Sequence, residues 1–135
     1  QIFQFEFCLN LLGYSILKFL DVAKPITIDV FLDTDKVPEQ ISWNASDSSA
    51  DMAQQCKAMM ISFWDGADKT AMRIDLWTKQ MMVDEMADFY YQTMMTMADT
   101  FHRATKNDEL TSDLKNFAKT FYNKFREQQV KETKA

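Results

Sequence analysis

The hydrophobic period of this chain changes once, near residue 80, and that change fixes its class. Before it, Ile26, Ile28, Val30 and Leu32 alternate with Thr27, Asp29 and Phe31, the period of two that a half-buried strand requires. Asp33 to Glu39 then supplies acidic turn residues and Pro38. Ile41, Trp43 and Ala45 resume the alternation as a second short strand, followed by a polar surface loop over 46–55 with room for one helical turn. Lys57 to Trp64 and Thr70 to Thr78 form a hairpin around Asp65-Gly66-Ala67-Asp68-Lys69, because glycine and acidic residues favour a short β-connection. Alternation puts Met59, Ile61 and Phe63 on one face with Met72, Ile74 and Leu76, and Trp64 and Trp77 on the other.

After residue 80 the period is that of a helix. At 100° per residue, Met82, Met86, Phe89, Tyr90, Thr93, Met97, Phe101 and Ala104 fall within an arc of about 140°, with Tyr91 and Met95 on the polar side. Asp84, Glu85 and Asp88 open this helix and Arg103 and Lys106 close it, as the helix dipole favours. Asn107 or Asp108 then caps a second helix whose stripe is Leu110, Leu114, Phe117, Ala118, Phe121 and Phe125. The order β-β-β-β-α-α predicts an α+β fold, a four-stranded antiparallel sheet with both C-terminal amphipathic helices packed on one face. One α+β domain is expected over 25–126, after an apolar N-terminal extension (1–24) and before a frayed basic tail (127–135).

Length and composition narrow the function. The chain has 135 residues, room for one core. Gly13 and Gly66 are its two glycines, too few for a dinucleotide fingerprint or a phosphate-binding loop. His102 is the single histidine, and Cys8 and Cys56 the two cysteines. No histidine-based metal centre, disulfide framework or catalytic triad can be written, so catalytic, cofactor and metal residues are all read as none. An enzyme would need Asp29, Asp75 and His102 to converge. The pairs Asp33/Asp35 and Asp65/Asp68 read as turn chemistry. In the extension, Phe3, Phe5 and Phe7 alternate like a strand and Leu9, Leu12, Ile16 and Leu20 recur like a helix. Glu6 and Lys18 interrupt its apolar run, which rules against both a secretory leader and a spanning helix.

Charge is unevenly distributed. The net charge is −5, which disfavours a nucleic-acid groove. Residues 1–114 hold 9 basic and 18 acidic groups, whereas 115–135 hold 6 basic and 2 acidic. Lys115, Lys119, Tyr122 and Arg126 form a basic stripe. It reads either as a solvated helix end or as a contact for an acidic partner or an anionic membrane surface. A second candidate interaction face comes from the outer side of the sheet, where Phe31, Trp64, Arg73, Asp75 and Trp77 combine aromatic and guanidinium groups.

Several stretches are specific. Ile61-Ser-Phe-Trp-Asp65, Arg73-Ile-Asp-Leu-Trp-Thr-Lys79, Met82-Val-Asp-Glu-Met86, Thr96-Met-Ala-Asp-Thr-Phe101 and Arg103-Ala-Thr105 resemble the gliding-motility protein GldC family. Ile28 to Asp33 and Val37-Pro-Glu39 with Trp43 fit as well, so the resemblance spans roughly 26–125. Residues 1–24 have no counterpart, and the tail is longer and more basic than family members lead one to expect. The resemblance implies a cytoplasmic accessory protein of the bacterial gliding and linked secretion machinery, peripheral to the inner membrane at most, with no enzymatic activity and no cofactor. Its expected partner is a protein of that apparatus, and a second copy of the chain is left open. The competing function is a chaperone-like holder of export substrates, an architectural analogy that is a weak warrant by itself.

Overall fold

A computed structural model describes residues 25–46 and 52–133. The N-terminal extension, with Cys8, lies outside the described residues. Five strands precede two helices: β1 (Ile26–Leu32), β2 (Pro38–Ala45), β3 (Gln54–Cys56), β4 (Ala58–Asp65), β5 (Thr70–Trp77), α1 (Val83–Thr105) and α2 (Asp108–Thr133). The class is α+β with antiparallel strands, but the strands form two sheets, β1-β2-β3 and β4-β5. The single four-stranded sheet is therefore corrected, and β3 is a strand where the sequence suggests a polar loop.

The division has a local cause. Gln54 to Asp65 is nearly one extended run interrupted by a bend at Lys57. Before the bend, Ile41 and Trp43 of β2 pair with Cys56 and Gln54. After it, Ala58 pairs with Trp77 and Met60 with Asp75. The same strand thus serves two partners in succession. The Lys57 carbonyl accepts a 2.8 Å bond from the Thr78 amide, and the Lys79 amide donates to the Pro38 carbonyl at 3.3 Å. Thr78 is buried at this corner.

Turn chemistry is specific. The Asp33 carboxylate accepts bonds from the amides of Asp35 (2.8 Å) and Val37 (2.9 Å) and from the Lys79 ammonium. Asp65 accepts from Ala67 (2.8 Å) and Asp68 (3.1 Å) in the hairpin connection. Lys69, with φ 52°, takes the left-handed conformation there, while Gly66 does not have a positive φ. Glycine's freedom is unused in this turn.

The helices are joined by a tight corner. Lys106 takes a left-handed conformation (φ 56°), and its amide donates to the His102 carbonyl, a left-handed C-terminal stop. Asn107 caps α2 by accepting the Leu110 amide at 3.0 Å. At the other end of α1 the Glu85 carboxylate accepts the Met82 amide at 3.0 Å, one half of a capping box. The second helix continues through Thr133, past the end at 126 that its stripe suggests.

The two helices pack on each other, and neither makes an extensive contact with a sheet. That overturns the expectation of two helices lying on one sheet face. Of the stripes read from sequence, the seam uses Ala118 but otherwise other residues. Ala87, Ala98, Ala118 and Thr111 are buried, and Tyr91 stacks on Tyr122 with ring centroids 4.8 Å apart. Tyr91 therefore lies in the seam and not on a polar face. Small residues let the backbones approach closely, while the larger side chains of the stripes remain at the surface: Met97 is 59% exposed and Phe117 62%. Ala118→Leu is expected to destabilise the fold by about 1–3 kcal/mol through overpacking of this seam, read from urea unfolding. An unchanged midpoint would show that the helices do not close there.

Candidate functional site

The β4–β5 hairpin has two faces of different character. Met59↔Leu76, Ile61↔Ile74 and Phe63↔Met72 pair on one, while Ala58↔Trp77, Met60↔Asp75, Ser62↔Arg73 and Trp64↔Ala71 pair on the other. This register is the one that alternation predicts. What differs is the relation to the helices. The first turns of α1 approach the end of the hairpin where Ala58 pairs with Trp77 and Met59 with Leu76, and between them lies an open groove of about 300 Å³ lined from both faces.

Asp75, Trp77 and Met60 form its hairpin wall, and Met82, Met86 and Tyr90 its helical wall. Met59, Leu76 and Met81 also line it, with Ala58, Val83 and Phe89, so five of the ten methionines surround one groove. Methionine is unbranched and polarisable and adapts to varied apolar surfaces. The polar component is small. Arg73 donates to Asp75 at 2.8 Å, and this bond, with Tyr90 contributing, raises the guanidinium pKa further. Arg73 also reaches the Met60 sulfur at 3.2 Å. Lys57 pairs with Glu85 at 2.6 Å, and this bond and the Met82 amide hold the Glu85 carboxyl below its usual range.

Of the residues singled out from sequence, Arg73, Asp75 and Trp77 are brought together, and Trp64 lies farther along the same face toward the hairpin tip. Phe31 is elsewhere. It belongs to the three-stranded sheet and borders a separate surface depression with Glu39, Gln40, Lys79 and Gln80. The methionine lining escaped the sequence reading, since periodicity says which residues share a face but not which face another element approaches.

The basic stripe on α2 turns mostly toward α1. Lys115 pairs with Asp99 at 2.5 Å, Tyr122 donates to Asp88 at 2.5 Å, and the Arg126 guanidinium lies 6.0 Å from the Tyr122 ring centroid. Lys119 is exposed. The Asp99 carboxyl is held below its usual range, first by the Lys115 bond, and the bond to Asp88 raises the Tyr122 phenol.

Among the described residues no cluster of three His, Cys, Asp or Glu has metal-binding geometry. His102 sits at the helix corner, its Nδ1 3.4 Å from Asp108 and without a hydrogen bond. Asp75 is in the groove, Asp29 on β1, and no described pocket unites them with His102. Cys56 is a free, half-buried thiol whose pKa is raised by burial.

The profile of a family described as gliding motility-associated protein GldC-like matches residues 38–127, two thirds of the sequence. The chain belongs to the GldC-like family. The matched segment contains β2 through most of α2, and with them the whole methionine groove. No curated protein and no solved structure matches. The family is named for motility and not for a reaction. No described helix is long and apolar enough to cross a membrane.

Three carboxylates held down by ammonium groups, Asp33 by Lys79, Glu85 by Lys57 and Asp99 by Lys115, set a pH dependence. Their folded pKa values lie below the unfolded ones, so their contribution is complete above about pH 5 and is lost as pH falls through the lowered values. Urea midpoints are expected to fall between pH 5 and pH 3, and less steeply in Glu85→Gln and Asp99→Asn. An identical acid slope in both variants would show that these pairs do not form in solution.

Proposed function

We propose that this GldC-like chain is a non-enzymatic adaptor of the bacterial gliding and linked secretion machinery. It acts in the cytoplasm by docking an apolar segment of a protein partner in the methionine groove. The observation that carries this reading is the groove itself: five methionines with Trp77 and Tyr90 around one opening, with Arg73 and Asp75 at its side. Aromatic and arginine side chains dominate binding energy at interfaces, and methionine tolerates sequence variation in what it binds. Trp64, on the same face, extends the contact toward the hairpin tip. No nucleic acid, cofactor or metal enters this function.

A second reading, a holder of unfolded export substrates, is favoured by the large side chains left uncovered on both the hairpin and the helices. It differs in requiring that an unfolded client be kept from aggregating.

Affinity capture from gliding cells is expected to recover components of the motility apparatus. Trp77→Ala and Met82→Lys, both at exposed groove positions, are expected to reduce recovery about tenfold, whereas Phe31→Ala leaves it unchanged. Equal recovery by all three variants would remove the groove as the docking site. Suppression of client aggregation, undiminished by the groove variants, would favour the holder instead.

A further inference from the structure

The groove beside α1 is apolar except at one point. Among the residues that line it, Asp75 alone has a charged side chain. It faces Met60 across the β4–β5 register, and its side chain is 34% exposed. Its counter-ion stands aside, because Arg73 is not part of the lining. The Arg73 Nε donates to Asp75 Oδ1 at 2.8 Å and lies 2.7 Å from Oδ2, while Nη2 reaches the Met60 sulfur at 3.2 Å. An ionised carboxylate offers about four lone-pair sites, so one shared N–H leaves most of them to water. An apolar segment that enters the groove removes that water, and an acceptor left unmet is costly. Whatever docks here must bring a donor.

We infer that the apolar segment docked in this groove carries a lysine or arginine at its edge, whose cationic head Asp75 accepts. This inference rests on the groove reading proposed above and adds the sign of the partner's charge.

The surrounding charge favours a cation over a neutral donor. From residue 80 to 102 the sequence holds Asp84, Glu85, Asp88 and Asp99 and no lysine or arginine. In the first two turns of α1, Glu85 is paired with Lys57. Asp84 accepts the Glu85 amide and Asp88 the Tyr122 phenol, bonds that leave both charges without a cation. The hairpin contributes no excess of either sign, with Lys57, Lys69 and Arg73 balancing Asp65, Asp68 and Asp75. Asp84 and Asp88 act through space, since a helix is about 10 Å across and the Debye length is about 10 Å at 0.1 M salt. The positive end of the α1 dipole is offset by the Glu85 carboxylate, which accepts the Met82 amide.

Aromatic surface adds to the preference. Trp77 and Tyr90 line the groove with Asp75, and both are exposed. Their ring faces attract an ammonium or guanidinium group. A carboxylate-bearing segment would meet repulsion from the same groups.

The test uses the full chain with methyl-labelled methionine, read by NMR. The Met82 and Met86 signals are assigned from Met82→Leu and Met86→Leu, so that binding is located at the groove. Three probes share one six-carbon tail: hexylammonium, hexan-1-ol and hexanoate. Hexylammonium is expected to shift both signals with a Kd about tenfold below that of hexanoate, and hexan-1-ol to fall between. Asp75→Asn is expected to abolish the advantage of the ammonium over the alcohol. Arg73→Gln, which releases Asp75, is expected to widen it. Equal affinity for the three probes would overturn the charge assignment and leave the groove as a site. So would a preference for hexanoate, which would make Arg73 the anchor, or an ammonium preference that survives Asp75→Asn. No shift of Met82 or Met86 with any probe would overturn the groove reading itself, and this inference with it.

Discussion

The structure turns on the corner at Lys57. One extended run passes there from β2 to β5, and the residues on both sides of the next connection are anchored to it. Its carbonyl takes the Thr78 amide and its ammonium takes Glu85, which in turn accepts the Met82 amide that opens α1. Lys79, one residue farther on, bonds Asp33 in the first turn. Exposed ion pairs are weak individually and screened by salt, so the backbone bond and the burial of Thr78 give the corner its rigidity. Together they place the start of α1 beside the Ala58–Trp77 end of the hairpin, and with that the groove exists.

Much of this was legible in the sequence. The hairpin register follows from strict alternation, because a slip of one residue would exchange the two faces completely. The break at Lys106 and Asn107 follows from cap chemistry. Three features were not legible, each for a definite reason. Gln54–Cys56 is too short and too polar to display a period, so β3 looked like loop. The bend at Lys57 carries no glycine or proline to mark it, so two sheets looked like one and Phe31 was grouped with the hairpin tryptophans. Finally, Ala118, which the stripe includes, is joined in the helix seam by Ala87, Ala98 and the stacked tyrosines, which the stripes do not include. Hydrophobic periodicity follows the larger side chains and gives alanine little weight, although small residues are what permit close helix packing.

The same arithmetic explains why surface and interior are exchanged relative to expectation. Each helix has two non-equivalent faces, a small-residue face used within the pair and a large-residue stripe. On the hairpin, residues of both faces near Trp77 line the groove with α1, and the exposed Phe63 and Met72 lie farther toward its tip. Among the described residues, large apolar side chains on both the hairpin and the helices stay exposed. That suits a family described as gliding motility-associated.

The central claim is that the hairpin's Phe63–Met72 face and the helical stripes do not meet within one chain. Spin labels at Ile74→Cys and Phe117→Cys of the same chain, in the Cys8→Ser and Cys56→Ser background, test it by pulsed electron resonance. Dilution into excess unlabelled chain ensures that only the distance within one molecule is read. The expected result is a distribution lacking the roughly 10 Å separation of layers packed face to face. A dominant short distance would mean that the helices fold back on that face of their own hairpin, and would contradict the open arrangement.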